Sequence, residues 1–222
     1  VRHQLLNGER PDACGVCWRL EDKGIQSSRQ SAFAELKDWA HPKHYQTATP
    51  PLPQSLELRL GHFCNLRCNY CSPFFYGGKK PNYNVLNLVK SLKQEGYFQN
   101  LKQVVWGGGE PTLDKSFELL VNEINSETNP EIYHRIFTNS VRYSEALANF
   151  LKKGLVKIVT SIDSGTPETF KKVRGRVKFE EVFVNLQKYS KINPNKITIK
   201  YILTDHNQSE EELKSFVNTC VK

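Results

Sequence analysis

Apolar residues along most of this chain recur at two spacings that take turns. Leu56, Leu58 and Leu60 alternate with polar neighbours, a period of two that predicts a strand over residues 55–60. Val85, Leu88, Val89 and Leu92 then fall three and four apart, so a helix is expected over 84–94. The exchange repeats, with strands over 101–106, 131–137, 156–162 and 196–203. Helices are expected over 115–124, 144–152, 180–189 and 209–221, with a shorter one near 167–173. Strand–helix alternation at this spacing implies right-handed βαβ units on a parallel sheet. An open sheet and a barrel both fit, and in either the ligands gather at the carboxyl ends of the strands.

Residues 1–53 do not follow this rhythm. They hold Asn7-Gly8, the pair Cys14-Gly15-Val16-Cys17-Trp18, a polar stretch and an expected short helix over 31–39. Thr49-Pro50-Pro51-Leu52-Pro53 closes the segment as a stiff linker that cannot continue a helix. The chain therefore reads as an appendage over 1–53 and an α/β domain over 54–222.

The loop after the first expected strand runs Cys64-Asn65-Leu66-Arg67-Cys68-Asn69-Tyr70-Cys71. Three thiols at this spacing can converge on one soft-metal centre. Zinc normally takes four ligands, so a zinc reading borrows Cys14 or Cys17. An iron–sulfur reading leaves one iron open to a small molecule. Arg67 reads as a solvated loop arginine. After the second strand comes Gly107-Gly108-Gly109-Glu110-Pro111, a run that permits close backbone approach by a ligand and lacks the lysine and hydroxyl of a P-loop. The third strand ends in Thr138-Asn139-Ser140 and the fourth in Ser161-Ile162-Asp163-Ser164-Gly165. Each polar residue there also suits ordinary helix capping.

With its aromatic residue before the last cysteine, Cys64-x3-Cys68-x-Tyr70-Cys71 resembles the signature of the radical S-adenosylmethionine (SAM) superfamily. The resemblance covers about residues 55–220; the cysteine loop and the glycine run are its specific parts. It implies a (βα)6-type barrel, of which five units are visible, so a C-terminal portion is expected beyond this chain. It implies a [4Fe–4S] cluster on Cys64, Cys68 and Cys71 whose open iron chelates SAM. An electron then cleaves SAM to methionine and a 5′-deoxyadenosyl radical, which takes hydrogen from substrate. By the same resemblance Gly108, Gly109 and Glu110 meet the SAM amino group. Asn139, Ser161 and Asp163 lie near the ribose and carboxylate, Arg174 meets the carboxylate, and Ile202 lines the adenine beside Tyr70. A reductant such as flavodoxin or ferredoxin is implied; the substrate, small molecule or peptide, is not.

Residues 7–21 resemble the leading segment of a radical SAM group with an N-terminal twitch-like motif. The outcomes for Cys14 and Cys17 are an auxiliary iron–sulfur cluster, a zinc or partial site, or a structural pair. His41 and His44 lie across the proline-rich segment, and Cys220 reads as a small core residue. Tyr76, Tyr201 and Asp205 fall near the expected barrel mouth, with no catalytic residue singled out.

Composition narrows the picture further. Hydrophobic residues at 38% and charged residues at 24% are a globular balance. No apolar run reaches the roughly 20 residues that span a bilayer, and no secretion leader is apparent. Clustered cysteines then point to a reducing, cytoplasmic setting. The net charge of +8 raises nucleic acid as a partner. Lysines spread along helical faces, with no aromatic interleaving, argue against it. The densest run is Lys171, Lys172, Arg174, Arg176 and Lys178. The rival to the enzyme reading is a non-catalytic zinc or iron–sulfur module that binds nucleic acid.

Overall fold

The computed structural model describes residues 1–36, 52–78, 82–125 and 132–221. The chain divides into two compact units, Val1–Leu52 and Pro53–Lys222.

The first unit contains α1 (Arg2–Leu6), a 3₁₀ turn (Asp12–Cys14), α2 (Gly15–Glu21) and α3 (Ser28–Leu36). α3 begins three residues before the expected 31, because a capping box opens the helix at Ser28. The Gln30 N–H donates to Ser27 Oγ at 3.1 Å, and the Ser27 N–H donates to Gln30 Oε1 at 3.0 Å. The rest of the expected helix, 37–39, lies outside the described residues. Cys14 directly precedes α2, with no capping bond from its side chain, and Cys17 follows within the first turn. Trp18 anchors this unit. Its indole N–H donates to the Pro11 carbonyl at 3.2 Å, and Arg10 and Arg29 lie 5.2 and 4.5 Å from its ring.

In the second unit β1 (Ser55–Arg59), β2 (Gln103–Gly107), β3 (Tyr133–Phe137), β4 (Val156–Ser161) and β5 (Ile197–Lys200) form one sheet. Its order is β1-β2-β3-β4-β5, with every pairing parallel. The helices α4 (Val85–Gln94), α5 (Phe117–Ile124), α6 (Glu145–Lys152), α7 (Pro167–Arg174), α8 (Phe179–Ile192) and α9 (Glu210–Cys220) connect and follow the strands. This is the parallel α/β sheet the alternation implied, and it matches the partial barrel implied by the resemblance. Asn84, Ser144, Thr166 and Ser209 cap four of these helices with their side-chain oxygens, as residues of that type do. β5 is shorter than the expected 196–203: the 3₁₀ turn Pro194–Lys196 delays its start by one residue, and it ends at Lys200, beyond which the Ile202 N–H turns to the Asp163 carboxylate.

Parallel register carries one row of the core straight across the sheet: Leu58, Trp106, Ile136, Ile158 and Ile197. That row packs under Val89, Leu120, Val121, Leu147 and Leu151. The opposite face differs. In register there stand Glu57, Val105, Arg135 and Lys157, half-buried or exposed. A parallel sheet sealed on both faces would be apolar on both; this one keeps polar residues on its second face. Among the described residues no helix is long and apolar enough to cross a membrane.

One polar residue sits in the apolar layer. His134 is fully buried, and its Nδ1 accepts the Trp106 indole N–H at 2.8 Å. A neutral imidazole must then carry its proton on Nε2, which lies 2.8 Å from the Asn125 amide. Asn125 Oδ1 is otherwise a buried acceptor without a partner. Turning that amide so that Oδ1 faces Nε2 satisfies the ring. Burial pushes the His134 pKa down from 6.5 to about 4. Below pH 6.5 the unfolded chain takes up a proton that the native state refuses. Stability should therefore be intact above about pH 6.5 and fall by about 3 kcal/mol as pH drops toward 4. Urea midpoints across that range should show the slope, and His134→Gln should flatten it.

Candidate cofactor site

The cysteine loop leaves the end of β1 and is gripped from two sides. On one side the Glu110 N–H donates to the Phe63 carbonyl at 2.6 Å. A Cβ at Gly109 would lie 2.2 Å from that same oxygen, so only glycine allows the approach. On the other side the N–H groups of Arg67 and Asn69 donate to the carbonyls of Arg174 and Val173, at 3.1 and 2.9 Å. There a Cβ at Gly175 would lie 2.2 Å from the Arg67 carbonyl oxygen. Gly175, at φ 73°, also ends α7.

Cys64, Cys68 and Cys71 are all half-buried. Burial pushes each thiol up, and the thiolates raise one another: Cys68 acts on Cys64, Cys71 on Cys68 and Cys64 on Cys71. Arg174 works in the opposite sense on Cys68 and Cys71. The Leu66 N–H and the Asn139 amide point at Cys64 Sγ, at 3.4 and 3.5 Å. Among the described residues no three His, Cys, Asp or Glu side chains are gathered tightly enough for a single metal ion. Three mutually interacting thiols on one loop, with N–H donors to sulfur, fit a polynuclear iron–sulfur cluster with one iron lacking a cysteine.

Beside this loop Glu110 is 4% exposed and binds the ends of β2 and β3 together. Its Oε1 accepts from Thr112 Oγ1 and Thr138 Oγ1, both at 2.7 Å, and its Oε2 accepts the Asn139 N–H at 2.7 Å. Burial raises its pKa against these bonds. Oε2 has room for one more donor. Asn139 in turn donates to Asn65 Oδ1 at 2.7 Å, tying β3 to the cysteine loop.

A second polar knot lies at the ends of β4 and β5. Asp163 is fully buried in the left-handed region, φ 59°. Its Oδ1 accepts the Ile202 N–H at 2.7 Å. Its Oδ2 takes the Tyr70 hydroxyl at 2.5 Å and Arg174 Nη1 at 2.9 Å. Arg174 Nη1 also donates to the Tyr70 hydroxyl. Burial, then the bond to Asp163, pushes the Tyr70 phenol up. Arg174 Nε is buried with no partner, a donor held in reserve beside Cys68.

The profile of the radical SAM superfamily matches residues 58–220. The chain belongs to that superfamily. Its enzymes use a [4Fe–4S] cluster and SAM, and the donor set above is suited to both. The GTP 3′,8-cyclase of Haemophilus influenzae (strain Rd) is 29% identical over 166 residues, 73% of this chain and 48% of that protein. The Pasteurella multocida GTP 3′,8-cyclase is 32% identical over 151 residues, 67% of this chain and 44% of the relative. The chain thus spans about half the length of the curated relatives it matches. Streptococcus suis SuiB bound to S-adenosylmethionine superposes with a TM-score of 0.60 at 20% identity, covering 94% of this chain and 47% of that one. SuiB bound to its precursor peptide SuiA gives 0.62 at 18%, covering 94% and 50%. These likenesses show the fold.

Of the residues singled out in this radical SAM chain, the structure brings together Cys64, Cys68, Cys71, Tyr70, Gly109, Glu110, Asn139, Asp163, Arg174 and the Ile202 backbone. Gly108 (φ 76°) supports Gly109, and Ser161 ends β4 half-buried. Cys14 and Cys17 belong to the first unit; His41 and His44 lie outside the described residues. Tyr76 lies under Arg67, 5.0 Å away, and Tyr201 donates to the Asn207 carbonyl at 2.6 Å. Asp205 is exposed and Cys220 half-buried.

Several supporting residues escaped the sequence reading. Asn207 donates to the carbonyls of Asp163 and Ile202, both at 2.8 Å. Glu212 takes the Gly165 N–H at 2.5 Å and the Thr166 N–H at 3.2 Å. Asn185 holds the Ser140 carbonyl at 3.0 Å. For the two on helices the signal was a polar residue on an otherwise apolar face, visible for Asn185 and hidden for Glu212 within Glu210-Glu211-Glu212; Asn207, in the turn before α9, carried none.

Proposed function

We propose that this chain carries the catalytic barrel of a radical SAM enzyme, with Cys64, Cys68 and Cys71 as cluster ligands. The grip on their loop carries the reading: two backbone contacts that tolerate only glycine hold three thiols at the polar mouth of a parallel sheet. When bound, the cluster and SAM supply an electron and a 5′-deoxyadenosyl radical that abstracts hydrogen from substrate. The chain's own part is to bind and orient. Glu110 Oε2 offers its open lone pair to the SAM ammonium, with Gly108 and Gly109 letting the ligand approach. Arg174 Nε offers its free N–H to the carboxylate. Asn139, Ser161 and Asp163 flank the ribose from the strand ends, and Ile202 and Tyr70 border the adenine. Cys14 and Cys17 supply two thiols toward an auxiliary cluster.

Anaerobic reconstitution followed by EPR of the reduced protein tests this. A [4Fe–4S]⁺ signal should appear, change on adding SAM, and vanish in Cys64→Ala/Cys68→Ala/Cys71→Ala. Iron retained by that variant would report a second site at Cys14 and Cys17. Bound zinc with no SAM-responsive signal would sink the reading in favour of a metal-stabilised binding module.

A further inference from the structure

The densest cationic run of the chain is left over once the site is described. Of its members, Arg174 turns inward to Asp163, and Lys178 pairs with Glu181 at 2.7 Å. Lys171, Lys172 and Arg176 are exposed. None of these three is in an ion pair among the described residues. Their place in the fold matters more than their number. They stand on the last turn of α7 and just past its Gly175 cap, and the Val173 and Arg174 carbonyls of that turn hold Asn69 and Arg67. Cys68 lies between those two residues, and Arg67 is itself exposed. Four cations therefore rim the segment that presents Cys68. The acidic groups nearest in sequence are Glu168, one turn back on α7, and Glu180 and Glu181 at the start of α8.

A solvated surface is the ordinary fate of such a run. This one, however, borders the site where an electron must enter from outside the chain. A cationic rim concentrates an anionic partner and orients it on encounter.

We propose that Arg67, Lys171, Lys172 and Arg176 form the docking surface for an acidic electron-carrier protein. The inference rests on the cluster assignment made above. The carrier loses one electron and the cluster on Cys64, Cys68 and Cys71 gains it, with no bond made or broken.

The test compares two double variants of equal net charge, Lys171→Glu/Lys172→Glu and Lys152→Glu/Lys153→Glu, the latter at the end of α6. Both pairs are exposed lysines, so folding should be retained. Cluster reduction in the reconstituted protein is followed by stopped-flow absorbance, with reduced flavodoxin, reduced ferredoxin or dithionite as donor. The first variant should lose about tenfold or more in the rate with at least one protein donor and keep its dithionite rate. The second should match wild type with every donor, and the wild-type protein-driven rate should fall with added salt. Equal protein-driven rates in the two variants would overturn the proposal. So would an oligonucleotide whose binding alone is lost in the first variant, which assigns the patch to nucleic acid. If dithionite reduces no cluster in wild type, the cluster assignment itself fails and takes this inference with it.

Discussion

Asp163→Ala should destabilise the fold by about 3–5 kcal/mol, the cost of leaving a buried charge without its partner. The pair is out of water on both sides: the Asp163 side chain is 0% exposed and that of Arg174 7%. Removing the carboxylate strands the guanidinium, whose Nε already lacks a partner. It also frees the Ile202 N–H and the Tyr70 hydroxyl, so β5 and the cysteine loop lose a common anchor. Denaturant midpoints give the stability change, and iron content after reconstitution reports the loop. Asp163→Ala/Arg174→Leu should recover much of the loss, because the stranded charge is then gone. A single-variant cost below about 1 kcal/mol would mean that the buried pair does not form.

The glycine run after β2 yields a graded result from three adjacent positions. At Gly107 a Cβ would meet nothing within 4 Å, so Gly107→Ala should be nearly neutral. Gly108 sits at φ 76°, and Gly108→Ala should cost about 1–3 kcal/mol in backbone strain. Gly109→Ala should be the most damaging. Its Cβ would press on the Phe63 backbone, at 2.2 Å from the oxygen and 2.9 Å from the nitrogen, and backbone cannot swing aside as a side chain can. Relief requires the loops to part, which breaks the Glu110–Phe63 bond and costs about 3 kcal/mol or more. Cys64 follows Phe63 directly, so iron incorporation should fall most in this variant. Equal iron loading in all three would show that the glycine contact does not set the loop.

The sheet was legible because its signals are local. β1, β2 and β4 begin or end within two residues of the stretches marked by alternating or continuous apolar residues. Four of the barrel-side helices followed from a 3.6-residue period with a capping Ser, Thr or Asn ahead of it. α2 was not legible: its seven residues, Gly15–Glu21, are too few to display a period. The cysteine loop and glycine run announced themselves by spacing. What spacing could not convey is how the polar residues are already committed. Asp163 reads as a helix cap, yet Tyr70, Arg174 and Ile202 all bond to it, and Tyr70 lies 93 positions away. Long-range polar knots leave no local trace, since each member looks like an ordinary loop residue until the chain closes around it.

That separation orders events during synthesis. The cysteines leave the ribosome early, directly after β1, and their thiols are then free to bind whatever metal is present. The wall that shapes their loop, Val173–Gly175 with Asp163 and Ile202, emerges about a hundred residues later. A cluster inserted before that point would find a floppy tripod of thiols. Metal loading is therefore expected to be a late step, following the placement of β5, and a chain truncated before α7 should load iron poorly even though every one of the three cysteines is present.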